Sequence, residues 1–173
     1  MKAQVVYESM YGNTAQVARA IGEGLKVEGI ETVVDPVGHV DRARVSGADL
    51  LVIGGPTHVH GMARPSTREQ ARADEKNTFD DPTAEPGLRE WLDDLPDGKG
   101  RLAAAFDTRI QAPKAFTGSA AKGIAQRLRR HGFGQAGEPG SFLVTKQNTL
   151  VEGELERARG WAREIAARAA VKL

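Results

Sequence analysis

Apolar runs closed by short turns alternate with stretches of helical spacing along nearly the whole chain. The first run, Ala3 to Glu8 (AQVVYE), predicts a strand, and TAQVARAIGEGLKVEG after it places Val17, Ala20, Ile21 and Leu25 on one helical face before stopping at Gly29. Glu31 to Asp35 predicts a second strand, followed by a one-turn helix around His39 to Val45. Leu50 to Ile53, within DLLVIGG, is apolar without alternation, the pattern of a strand covered on both faces. It is therefore the expected centre of the sheet. Behind Pro86, Leu88, Trp91, Leu92 and Leu95 make a helical stripe; RLAAAF predicts the fourth strand, Gly118 to His131 a helix, and SFLVT the fifth strand. A terminal helix from Val151 to Ala170 carries Leu155, Ala158, Trp161, Ile165 and Ala169. Five such units predict an α/β fold, a doubly wound five-stranded parallel sheet with helices on both faces.

Residues 63 to 85 interrupt the rhythm with two Pro, few large apolar side chains and no sustained period. They are expected to form a mobile insertion in a single domain spanning 1–173, anchored at both ends near the carboxyl ends of the strands. That placement suits a lid.

Composition narrows the function. Among 173 residues, 24 Lys and Arg face 23 Asp and Glu, for a formal charge of +1, which argues against a surface given over to nucleic acid. There is no Cys, hence no disulfide framework and no thiol catalyst, and no apolar run long enough to span a bilayer. MKAQVVYES lacks the features of a signal peptide, so a cytoplasmic location is expected. Residues 63 to 95 hold five bases and nine acids, whereas residues 99 to 173 hold fourteen bases and six acids, so the molecule is expected to be dipolar. Gln126 to His131 (QRLRRH) reads as the solvated face of a helix rather than a nucleic-acid patch.

Directly after the first strand comes Ser9-Met10-Tyr11-Gly12-Asn13-Thr14, with a helix expected to begin at Asn13 or Thr14. Hydroxyls of Ser9 and Thr14, close backbone approach at Gly12 and the unpaired amides of a helix start are the donors a phosphate needs. The loop lacks the Lys and spacing of a triphosphate loop and the three glycines of the dinucleotide fingerprint, which leaves a monophosphate bound by neutral donors.

ESMYGNT after a first strand resembles the phosphate loop of the flavodoxin family, and its Ser-Met-Tyr-Gly form is reminiscent of that family's quinone reductases. The resemblance covers nearly the whole chain. It implies strand order 2-1-3-4-5, bound flavin mononucleotide (FMN), and a ligand at the carboxyl ends of strands one and three. It also implies that Gly54 to Met62, with Pro56, Thr57, His58, Val59, His60 and Gly61, forms the second flavin loop, and that Asp107, Thr108 and Arg109, after the fourth strand, belong to the third. Familiar flavodoxins carry a tryptophan and a tyrosine in these loops; this sequence has neither there. Tyr11, Phe106 and Phe116 are the rings expected nearby, and Arg109 introduces a cation that would stabilise an anionic reduced ring. His58 and His60 are poor metal candidates, because no carboxylate stands at ligand spacing and only two other His exist.

The resemblance implies an FMN-binding redox protein that passes electrons through the flavin to a partner protein or a small quinone-like acceptor. Two alternatives stay open: an FMN-dependent NAD(P)H:quinone or protoporphyrinogen-type oxidoreductase, and a flavodoxin-like binding module that has lost FMN.

Overall fold

The computed structural model describes residues 1–58, 61–74 and 87–172. In chain order it contains β1 (Lys2–Tyr7), α1 (Asn13–Val27), β2 (Glu31–Pro36), α2 (Arg42–Gly47), β3 (Leu50–His58), β4 (Gly61–Met62), α3 (Pro65–Ala73), α4 (Leu88–Asp93), β5 (Leu102–Ile110), α5 (Lys114–Thr117), α6 (Ala120–Arg130), β6 (Gly134–Gln135), β7 (Gly140–Val144) and α7 (Glu154–Lys172). The five principal strands, β1, β2, β3, β5 and β7, are parallel and lie in the order β2-β1-β3-β5-β7. Counted as strands one to five, that is the expected 2-1-3-4-5. Two short additions complete the sheet: β6 joins the start of β5, and β4 folds back antiparallel on the end of β3.

Alternate residues of the central strands feed two cores. Val5, Val52, Ala104 and Phe106 meet Val17, Ile21 and Leu25 of α1 and Ala158, Ala162 and Ile165 of α7 on one face. On the other, Val6, Leu51, Ile53 and Ala105 meet Leu88, Trp91 and Leu92 of α4 and Ile124 and Leu128 of α6. Ala3–Tyr7 of β1 and Leu50–Ile53 of β3 are buried on both faces, which is why, Gln4 apart, they run apolar without alternation. Gly54 is required by Phe106: a Cβ there would lie 2.2 Å from the ring. The ring meets Phe142 and Trp161 edge-on, with centroids 6.4 and 6.3 Å away.

Three expectations need correction. The third strand does not stop at Ile53; it continues to His58, because parallel pairing with β5 runs on through Pro56 opposite Thr108. Likewise β5 extends to Ile110, paired with β7 from Phe106 opposite Gly140 to Ile110 opposite Val144, so Asp107, Thr108 and Arg109 are strand residues and not a loop. Residues 65–73, expected to be irregular, form α3. Pro65 suits its first turn, and Thr67 Oγ1 accepts from the Arg64 amide at 2.8 Å. Its buried face consists of Ala71 and Arg68, a polar pairing that hides the helical period. The rest of that expected insertion, residues 75–85, lies outside the described residues.

Candidate functional site

The carboxyl ends of β1, β3, β5 and β7 open onto one cleft of about 580 Å³. One wall is the turn between β1 and α1. Gly12 takes φ 87°, a left-handed conformation that a side chain disfavours, and so directs the chain into α1. Ser9 Oγ accepts from the amides of Gly12, at 3.1 Å, and Ala15, at 3.3 Å, which draws the loop around its own hydroxyl. The Gln16 amide bonds to the Gly12 carbonyl in the first helical bond. The amides of Asn13 and Thr14, which precede it, have no partner among the described residues, and both residues line the cleft.

Side chains brace this wall from distant parts of the chain. Thr14 Oγ1 lies 2.7 Å from Thr108 Oγ1 of β5, and both residues are buried. Asn13 Nδ2 donates to the carbonyl and to Oδ1 of Asn148, each at 3.0 Å. Asn148 itself holds φ 62° in the turn after β7. Tyr11 donates its hydroxyl to Asp74 Oδ2 at the end of α3, at 3.1 Å; burial and that carboxylate raise the phenol above its ordinary value near 10.0. Pro56, Thr57 and His58 form the facing wall. Burial lowers the His58 imidazole below its ordinary 6.5, and its Nε2 is buried without a partner among the described residues, so the ring is neutral at pH 7.

The expected site residues therefore divide. Ser9, Met10, Tyr11, Asn13, Thr14, Pro56, Thr57, His58, Thr108 and Arg109 come together around the cleft, with Gly12 setting the turn. Asp107 does not reach it. It is wholly buried: Oδ2 accepts from Ser119 Oγ at 2.7 Å and the Ala121 amide at 2.9 Å, and Oδ1 accepts from Ser141 Oγ at 2.6 Å, so it fastens α6 to β5 and β7. Arg109 edges the cleft, but its Nε donates to Ser141 Oγ at 2.8 Å and its Nη1 to the Ala112 carbonyl at 2.6 Å. Those two nitrogens are committed to the protein. Gly61 pairs with His58 and faces a neighbouring cleft, and Val59 and His60 lie outside the described residues. Of the rings expected nearby, Phe106 is core and only Tyr11 lines the cleft.

Two groups went unnoticed in the sequence. Thr145, Lys146, Gln147 and Asn148 form a cleft wall; the polar turn TKQNT after an apolar strand was their only signal. Glu8, at the end of β1, is buried: its Oε1 accepts from the Leu88 amide at 3.2 Å and lies 3.7 Å from Nη1 of the buried Arg68, whose Nη2 is 3.3 Å from Glu90. Burial raises the Glu8 carboxyl above its ordinary 4.5, and the Leu88 amide and Arg68 oppose the rise. Among the described residues, no three His, Asp or Glu side chains form a metal-ligating cluster, and no helix is long and apolar enough to cross a membrane.

Residues 5–89 match the flavodoxin family model, and the sheet order and the cleft at the β1–β3 switch point agree with that match. Over that segment the chain is similar to the flavodoxin family. Its fold extends the likeness over the whole length. A flavodoxin from the domain Archaea superposes with a TM-score of 0.69 at 22% identity, covering 98% of this chain and 99% of that one. A flavodoxin of Streptococcus pneumonia TIGR4 gives 0.70 at 19%, covering 96% and 99%. A WrbA-like flavodoxin from Agrobacterium tumefaciens gives 0.59 at 20%, covering 99% of each chain. No curated protein sequence matches the chain.

Proposed function

We propose that the chain binds FMN in the cleft at the carboxyl ends of β1, β3 and β5 and serves as a redox protein through it. The observation that carries this reading is the pair of amides at Asn13 and Thr14, which head a fifteen-residue helix, lack partners among the described residues and line the cleft. Helix starts of this kind attract a phosphate. The cleft volume of about 580 Å³ lies within the range of cofactor sites.

Asn13, Thr14 and the Thr14 hydroxyl would hold the phosphate, while Ser9 keeps the loop in shape from within. Pro56, Thr57 and neutral His58 would bound the ring, and Lys146 adds a cation to the same cleft. Bound flavin supplies one- or two-electron transfer; the chain supplies placement, shielding and charge. One aromatic wall residue, Tyr11, leaves the described ring site without the usual two-sided stack, which favours an exposed ring face and a small quinone-like acceptor as one electron outlet beside partner proteins. Titration of the ligand-free chain with FMN and with riboflavin tests the reading, since only FMN carries the phosphate.

A further inference from the structure

The β3–β4 hairpin separates two clefts. Thr57 and His58 face the one described above, and their partners Met62 and Gly61 face a second, of about 440 Å³. Among the described residues its charged lining is basic: Arg89 of α4 with Lys122 and Arg127 of α6. Among the described residues one acid pairs with them, Asp93, whose Oδ1 lies 3.2 Å from Arg127 Nε and whose side chain is 64% exposed. Arg89 donates Nη2 to the Met62 carbonyl at 3.1 Å, while its Nε is buried with no partner among the described residues. The Lys122 ammonium makes no ion pair among the described residues. Among the described residues, two net positive charges therefore converge on one concave space.

Other donors at this place are already committed. The first amides of α6 go to Thr57 Oγ1, Asp107 Oδ2 and Ser119 Oγ, so attraction for an anion comes from the side chains. Room comes from glycine: a Cβ on Gly123 would meet only Met62, at 3.6 Å. A phosphate monoester carries about −1.5 to −2 at neutral pH, which matches the uncompensated charge. Arg and Lys are the side chains that recognise it. A space of about 440 Å³ exceeds what a bare phosphate fills.

We propose that this second cleft binds a phosphate monoester of nucleotide size, anchored by Lys122, Arg127 and Arg89 beside the hairpin that walls the flavin cleft. The proposal goes beyond FMN binding and does not depend on it.

The test is an amide NMR titration of the full chain at low salt, with and without FMN, using AMP, adenosine and inorganic phosphate as probes. AMP should shift the amides of Gly118–Gly123 whether or not FMN is present, and adenosine should not. Lys122→Glu and Arg127→Gln should each weaken AMP by roughly tenfold, the worth of one charge-assisted contact, while FMN affinity and thermal stability stay at wild-type values. AMP binding more tightly than inorganic phosphate supports a monoester of nucleotide size, whereas equal affinity would reduce the ligand to the free ion and contradict that size. Three further results would overturn the proposal: AMP displaced by FMN with shifts at Ser9–Thr14, equal AMP affinity in both variants, or a response to poly-glutamate alone, which would mark an acidic-protein docking face. Loss of FMN binding alone would leave this proposal standing.

Discussion

The hydroxyls of Thr14 and Thr108 lie 2.7 Å apart, joining the first turn of α1 to β5 across 94 positions of sequence inside a buried seam. One hydroxyl must donate to the other. If Thr108 gives its proton to Thr14, the Thr14 proton remains for a ligand in the cleft.

Thr14→Val leaves Thr108 buried and unpaired and should cost about 1 to 3 kcal/mol of stability. It should also weaken FMN by about 1.5 to 3 kcal/mol, the value of a hydrogen bond to a charged group, while leaving riboflavin unchanged. Thr108→Val should cost similar stability yet keep the preference for FMN over riboflavin. Urea unfolding and flavin fluorescence on both variants, with the double variant closing the cycle, separate the structural bond from the ligand bond.

Glu8 makes stability depend on pH. Its folded carboxyl titrates above the ordinary 4.5 because burial disfavours the charge, so over that interval the folded chain holds more proton than the unfolded one. Stability contributed by this group should therefore fall as pH rises from 4.5 through the folded value. Glu8→Gln keeps an acceptor for the Leu88 amide and removes the titration. Urea midpoints measured from pH 4.5 to 7 should decline less steeply in the variant; parallel slopes would remove Glu8 as the cause.

Arg109→Gln should act on the fold before it acts on a flavin, because the guanidinium is held by Ser141 and the Ala112 carbonyl. We expect a stability loss of about 1 kcal/mol, the scale of a partly exposed hydrogen bond, and FMN affinity within about threefold of wild type. A large loss of FMN affinity with unchanged unfolding would place the cation on the ligand instead.

The sheet was legible because strands covered on both faces run mostly apolar, as Leu50–Ile53 and, Gln4 apart, Ala3–Tyr7 do. The turn between β1 and α1 was legible because the bonds that shape it are local, with Ser9 Oγ accepting from the Gly12 and Ala15 amides. Asp107 was misplaced because pairing with β7 extends β5 past Phe106, and the strand's alternation then turns that carboxylate toward α6 rather than toward the cleft. Asn148 was invisible for a different reason: its bond to Asn13 spans 135 positions and arises only when parallel pairing brings the end of β7 beside the start of α1. Arg68 hid α3, since a buried guanidinium paired to Glu8 does the work that an apolar side chain usually signals.

The most direct test of the central claim is the affinity of the ligand-free chain for FMN against riboflavin, followed by flavin fluorescence or absorbance at moderate salt. The Asn13 and Thr14 amides and the Thr14 hydroxyl predict FMN tighter than riboflavin by roughly tenfold or more, since each charge-assisted hydrogen bond contributes about 1.5 to 3 kcal/mol. Equal affinity for the two flavins, or no binding of either, would contradict the account.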